Sequence, residues 1–148
     1  MRVSVVVRRA MNAQTNSIRD GRIRVVVADD HPVIRGIVRS TLQQHPHFKV
    51  CGEAENGAEA IEGVKRVRPD VVVLNVTMPL VNGFEAAREI KKHIPETEIV
   101  ILSSHADKHF LDETKKIGVR AYVPKSKMGQ ALVEALEAAV KGDDFIVL

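Results

Sequence analysis

The stretch Asp70-Val-Val-Val-Leu-Asn-Val-Thr-Met-Pro-Leu-Val-Asn-Gly83 decides how this chain folds. Five of the six residues from Val71 to Val76 are apolar, without the alternation of a strand that has one wet face. The run therefore predicts a parallel strand buried on both faces, with Asn75 near its carboxyl end. Met78-Pro79 and Asn82-Gly83 stop that strand and turn the chain towards a helix. In open α/β sheets, ligands and chemistry collect beyond the carboxyl ends of the strands, so function is expected on the rim that Asn75 occupies.

The same alternation of buried strand and amphipathic helix extends to both sides. Upstream, Ile23 to Ala28 predicts a first strand ending in Asp29-Asp30-His31-Pro32. Pro32 suits the first position of a helix whose apolar face is Val33, Ile34, Ile37, Val38 and Leu42. Phe48 to Ala54 reads as a second strand, and Ala58 to about Val67 as a helix with Ala60, Ile61 and Val64 inward. Downstream, a helix over Phe84 to His93 precedes a fourth strand over Glu98 to Leu102, whose rim carries Ser103-Ser104. A helix over Asp107 to Ile117 leads to a fifth strand over Val119 to Val123, followed at once by Pro124-Lys125. Ser126 is read as the cap of a last helix with Leu132, Val133, Leu136 and Val140 on its inner stripe, and Gly142 as its end. Five strands alternating with five helices, joined by short right-handed crossovers, predict a doubly wound α/β fold with a five-stranded parallel sheet in the order 2-1-3-4-5.

A chain of 148 residues suffices for one domain with a real core. Its net charge of +3 is unevenly placed. Residues 1–24 carry six arginines and one aspartate, which leaves the remainder slightly acidic. Residues 1–21 are read as an extension, either a basic arm for an anionic surface or a leader without fixed structure. The leader reading is preferred because the arginines are scattered and no aromatic residues lie between them. Cys51 is the single cysteine, which excludes an internal disulfide and fits a reducing cytoplasm. No apolar run approaches the roughly 20 residues needed to span a bilayer, and no signal peptide is recognised. Nothing of the form GxxxxGK[ST] or GxGxxG supports nucleotide binding. His105 and His109 lie four residues apart without a third ligand at fixed offset, which argues against zinc.

The predicted topology gathers Asp29, Asp30, Asn75, Ser103 and Lys125 at the ends of strands one, three, four and five, with Tyr122 three residues before Lys125. The run DVVVLNVTMPLVNGFEA resembles the phosphoacceptor segment of response-regulator receiver domains. Ala28-Asp-Asp-His-Pro-Val-Ile-Arg-Gly36 is similar to the opening of receivers of the NarL/FixJ type, and the CheY-like (βα)5 fold follows from the resemblance. It covers residues 22–142, with 143–148 matching the start of a linker or tail. The helix-turn-helix DNA-binding domain usual in that group is not within the chain.

The resemblance implies a role for each rim residue. Asp29 and Asp30 would hold Mg²⁺, together with Asn75 and the Thr77 backbone, as a weakened site. Ser103 and Lys125 would bind the transferred phosphoryl group, and Tyr122 would swing between exposed and inward rotamers. Asn75 stands where the acceptor aspartate would be. An amide is a poor nucleophile towards phosphorus, so phosphotransfer at this position is expected to fail and Mg²⁺ binding to weaken. With one carboxylate fewer, repulsion on the rim falls and Lys125 is free to pair with Asp29 or Asp30. Simpler readings stay open for Ser103, beside which Ser104 offers a second hydroxyl, and for Tyr122, as edge packing.

Three readings of function result. The first is a non-enzymatic, cytoplasmic receiver domain of a two-component system that works by contact with a sensor kinase or another signalling protein, or by homodimerisation. Ala121, Tyr122, Lys115, Lys116 and Arg120 offer one face for such contact, and the first and last helices another. The second is an ordinary phosphorylated receiver of a transcription regulator, carrying an engineered Asp-to-Asn change and cut before its DNA-binding domain. The third is a small-molecule-binding α/β domain.

Overall fold

A computed structural model describes residues 20–105 and 107–147. The expected extension over residues 1–21 therefore falls almost wholly outside the described residues. The strands are β1 (Ile23–Ala28), β2 (Phe48–Ala54), β3 (Val71–Asn75), β4 (Glu98–Ser103), β5 (Ala121–Pro124) and β6 (Phe145–Ile146). The helices are α1 (Pro32–Gln43), α2 (Gly57–Val67), α3 (Gly83–His93), α4 (Lys108–Ile117) and α5 (Met128–Lys141). The sheet runs β2-β1-β3-β4-β5-β6, and every pairing is parallel.

β3 lies at the centre because it has apolar side chains to give to both faces. Val72 and Leu74 join Ala60 and Val64 of α2, Ala87 and Ile90 of α3 and the flank of α4. Val71 and Val73 pack on the opposite face with Val38 and Leu42 of α1 and Leu132 and Leu136 of α5. A strand feeding two cores has no solvent face, which is why its sequence does not alternate.

Local chemistry sets the helix ends. Asn82 caps α3 by accepting from Glu85 N while the Glu85 carboxylate accepts from Asn82 N, a reciprocal capping box. Asn56 and Asp107 cap α2 and α4 in the simpler way. Gly142 closes α5 at φ +81°, a left-handed conformation that favours glycine.

The structure corrects four expectations. The sheet has a sixth strand, because Phe145 N donates to Arg120 O and Val147 N to Tyr122 O, which lays the apolar end of the chain against β5. Two residues are too few to show a period in sequence. Ser126 does not cap the last helix: Lys125–Lys127 form a 3-10 turn, and α5 begins without a side-chain cap. The apolar residues of α1 do not share one face, since Val33 and Ile37 are exposed while Val38 and Leu42 are buried. Ala121 and Tyr122, expected on a docking face, are fully buried, leaving Lys115 and Lys116 exposed and Arg120 half-buried.

Candidate functional site

Asn75 is the last residue of β3 and is 3% exposed. The register sets it beside Leu102 of β4, and β1 ends one pair earlier, at Ala28 opposite Leu74. The next residues of β1, Asp29 and Asp30, thereby reach the same rim. Asn75 Nδ2 donates to Thr77 O at 2.8 Å, and lies 3.3 Å from Asp30 Oδ1 and 3.5 Å from Asp29 Oδ1. The backbone behind it is tight. Gly83 N donates to Val76 O at 2.7 Å, and a Cβ on Gly83 would lie 2.1 Å from Asn75 O, so only glycine lets α3 begin there.

Asp29 is buried, a setting that an ionised carboxylate tolerates only when paired. Its Oδ1 accepts from His31 N at 2.9 Å, and His31 Nδ1 lies 3.1 Å from both Asp29 Oδ1 and Asp30 Oδ1. Asp29 Oδ2 accepts no hydrogen bond among the described residues, but the Lys125 ammonium sits 2.8 Å away as an ion pair. The pairing expected for Lys125 is thus with Asp29. Arg35 of α1 donates through Nη1 to Asp29 O at 2.6 Å and through Nε to Glu53.

Ser103 and Tyr122 form a second group on the α4 side of the rim. Ser103 is fully buried, and its Oγ accepts from His105 N at 2.9 Å. Tyr122 is 0% exposed, and its hydroxyl donates to His105 O. Burial pushes its phenol above the ordinary value near 10, partly offset by the Ser103 hydroxyl. The His105 ring stacks on Phe110 of α4 at 4.5 Å between centroids and 16° between planes.

Sequence reasoning missed Arg35 and the part that His105 plays. Arg35 carried no spacing signal towards the rim, and His105 acts through its backbone and ring rather than as a metal ligand.

Residues 25–137 match the family model of the response regulator receiver domain. The chain belongs to that family. Among its relatives is the transcriptional regulatory protein DegU of Brevibacillus brevis, 34% identical over 136 residues that cover 92% of this chain and 56% of that protein. The chemotaxis protein CheY of Thermotoga maritima is 33% identical over 80% of this chain and 98% of its own length. The receiver domain of the putative response regulator NarL from Mycobacterium tuberculosis superposes with a TM-score of 0.78 at 30% identity, covering 82% of this chain and 98% of that one. The chain spans about half the length of the transcriptional regulators it matches and nearly all of the chemotaxis protein. Among the described residues, no helix is long and apolar enough to cross a membrane.

Receiver domains bind Mg²⁺ through acidic residues, and here the ligand atoms of Asp29, Asp30 and His31 lie within 4.8 Å of one another. The donor types suit a hard cation, but the arrangement does not. Mg²⁺ requires oxygens at about 2.1 Å in near-octahedral order. The Thr77 carbonyl and the two carboxylates converge instead on the Asn75 amide nitrogen, at hydrogen-bond spacing. As arranged, the oxygens that would hold the ion are taken up by the amide.

Proposed function

We propose that this receiver domain takes no phosphoryl group at its rim and conveys its signal through protein contacts alone. The carrying observation is chemical. The side chain at the end of β3, beside the acidic pair, is the amide of Asn75, and an amide does not form an acyl phosphate. Asn75 occupies the place of the acceptor, Ser103 and Lys125 that of the groups that would bind a phosphoryl, and Asp29, Asp30 and the Thr77 carbonyl that of the metal ligands. With one negative ligand fewer, Mg²⁺ binding is weakened. Lys125 is already committed to Asp29, which supports a rim organised without an incoming phosphate. The partners are a sensor kinase or another signalling protein, or a second copy of this chain, and the domain has no catalytic role of its own. Any DNA contact belongs to an output domain outside these residues, as the half-length match to transcriptional regulators suggests.

Incubation with acetyl phosphate and Mg²⁺, read by intact mass, tests the proposal. No added mass is expected for the protein as it stands. One phosphoryl group mapped to the rim would overturn the reading, and Asn75→Asp, treated identically, is expected to gain one.

A second reading is favoured by the retention of Asp29, Asp30, Ser103 and Lys125 around Asn75. In it, the chain is an ordinary receiver whose acceptor was changed by design. The native codon at position 75 decides between the two.

A further inference from the structure

We infer that the Asn75 amide nitrogen is a built-in replacement for the divalent cation, so that this rim excludes Mg²⁺ by occupancy and not merely by lacking a charge. The inference deepens the proposed function and rests on its placing of Asn75 at the acceptor position beside the metal ligands.

The geometry supports occupancy at three points. Nδ2 bonds Thr77 O at 2.8 Å and faces Asp30 Oδ1 and Asp29 Oδ1 at 3.3 and 3.5 Å. An amide has two N–H donors, so one serves Thr77 while the two carboxylate oxygens share the other. The reverse amide orientation would set two carbonyl oxygens 2.8 Å apart and turn the amide oxygen's lone pairs towards two carboxylates, which favours the nitrogen at this position. The donor nitrogen also lies where two negative charges converge. Its partial positive charge, together with Lys125 on Asp29 Oδ2, supplies by side chains part of the neutralisation that an ion would bring.

Occupancy has a consequence that loss of charge does not. Admitting an ion requires breaking the Asn75 to Thr77 hydrogen bond and turning a side chain that is only 3% exposed. Shortening residue 75 without changing its charge opens the same oxygens. Asn75→Ala and Asn75→Ser should therefore acquire a cation response that the parent lacks.

Mn²⁺ serves as the probe, followed by loss of its free electron paramagnetic resonance signal, with Mg²⁺ as competitor and thermal melting as a second readout. The full chain is expected to show no saturable Mn²⁺ binding in the millimolar range and a melting temperature insensitive to Mg²⁺. Asn75→Ala should bind roughly tenfold or more tighter than the parent, and its melting temperature should rise with Mg²⁺. Asn75→Ser, which keeps a small polar group, repeats the comparison if the alanine variant does not fold. Asn75→Asp should bind tightest. If both short variants stay as unresponsive as the parent while Asn75→Asp binds, missing charge is the whole cause and the inference is overturned, with the proposed function intact. Saturable Mg²⁺-competed binding by the parent would overturn the inference directly. A phosphoryl mass on the parent would instead overturn the proposed function.

Discussion

At the scale of single residues, the rim is a charge-balancing problem in a poorly solvated place. Asp29 is buried, and Lys125, itself largely buried, is the full positive charge on its Oδ2. Removing one member of a buried pair leaves the other uncompensated, at a cost of about 3 to 5 kcal/mol where the pair stands alone. Here His31 N and the Asn75 amide still serve Oδ1, so Lys125→Met is expected to cost about 2 kcal/mol, read as a fall in the urea midpoint with unchanged slope. Adding Asp29→Asn to that variant should recover most of the loss, because the isolated carboxylate is then gone. A double variant no better than Lys125→Met would show that the pair is not coupled. The residues of this cluster were legible in sequence because each ends a strand that the apolar runs had located. The direction in which the Asn75 amide points was not, since it depends on three oxygens brought from β1 and from the loop after β3.

At the scale of elements, the β4 to α4 connection is held from two sides. His105 gives its N–H to Ser103 and its carbonyl to Tyr122, and its ring stacks on Phe110, so the loop and the first turn of α4 are tied to the buried tyrosine. The chain has one tyrosine and no tryptophan, so its tyrosine absorbance reports on this latch alone. Desolvation raises the Tyr122 phenol, so the folded state holds that proton to higher pH than the unfolded chain does. Stability from this source is therefore complete below the unfolded value near 10 and is lost as pH rises through the folded value. Spectrophotometric titration is expected to show the native phenol ionising above 10, with ionisation and alkaline unfolding moving together. Tyr122→Phe should remove that alkaline component while losing about 1 kcal/mol at neutral pH. A phenol that titrates at its ordinary value in the folded protein would contradict the inward position. Sequence located Tyr122 but left its rotamer open, because burial of a phenol depends on the partner its hydroxyl meets, and that partner is a backbone carbonyl.

At the scale of the whole molecule, the sheet separates two cores, and β6 extends the one beneath α1 and α5. Phe145 packs there, with Val147 beside it, and closes the outer edge of β5. Covering an edge satisfies β5 backbone groups and removes a template for pairing with another chain. Phe145→Ala is expected to cost about 3 kcal/mol, measured by urea unfolding, through lost burial and the cavity left behind. A loss near zero would mean that the chain end contributes nothing to the fold. The expected division of the chain at residue 142 would have left this strand outside the domain.

The sequence by itself determined the α/β class, the parallel order of the first five strands and the strand-end residues that reach the rim. Those follow from apolar runs and helical stripes punctuated by Pro, Gly and Asn, signals that are local and repeat at a fixed period. The tertiary structure alone decided that Lys125 pairs with Asp29, that the Asn75 amide faces the acidic oxygens, that Tyr122 lies inside and that the chain end joins the sheet. Each of those is a contact between groups far apart in sequence, chosen by competition among partners for a desolvated donor, acceptor or edge, and no short stretch of the chain contains both sides of that competition.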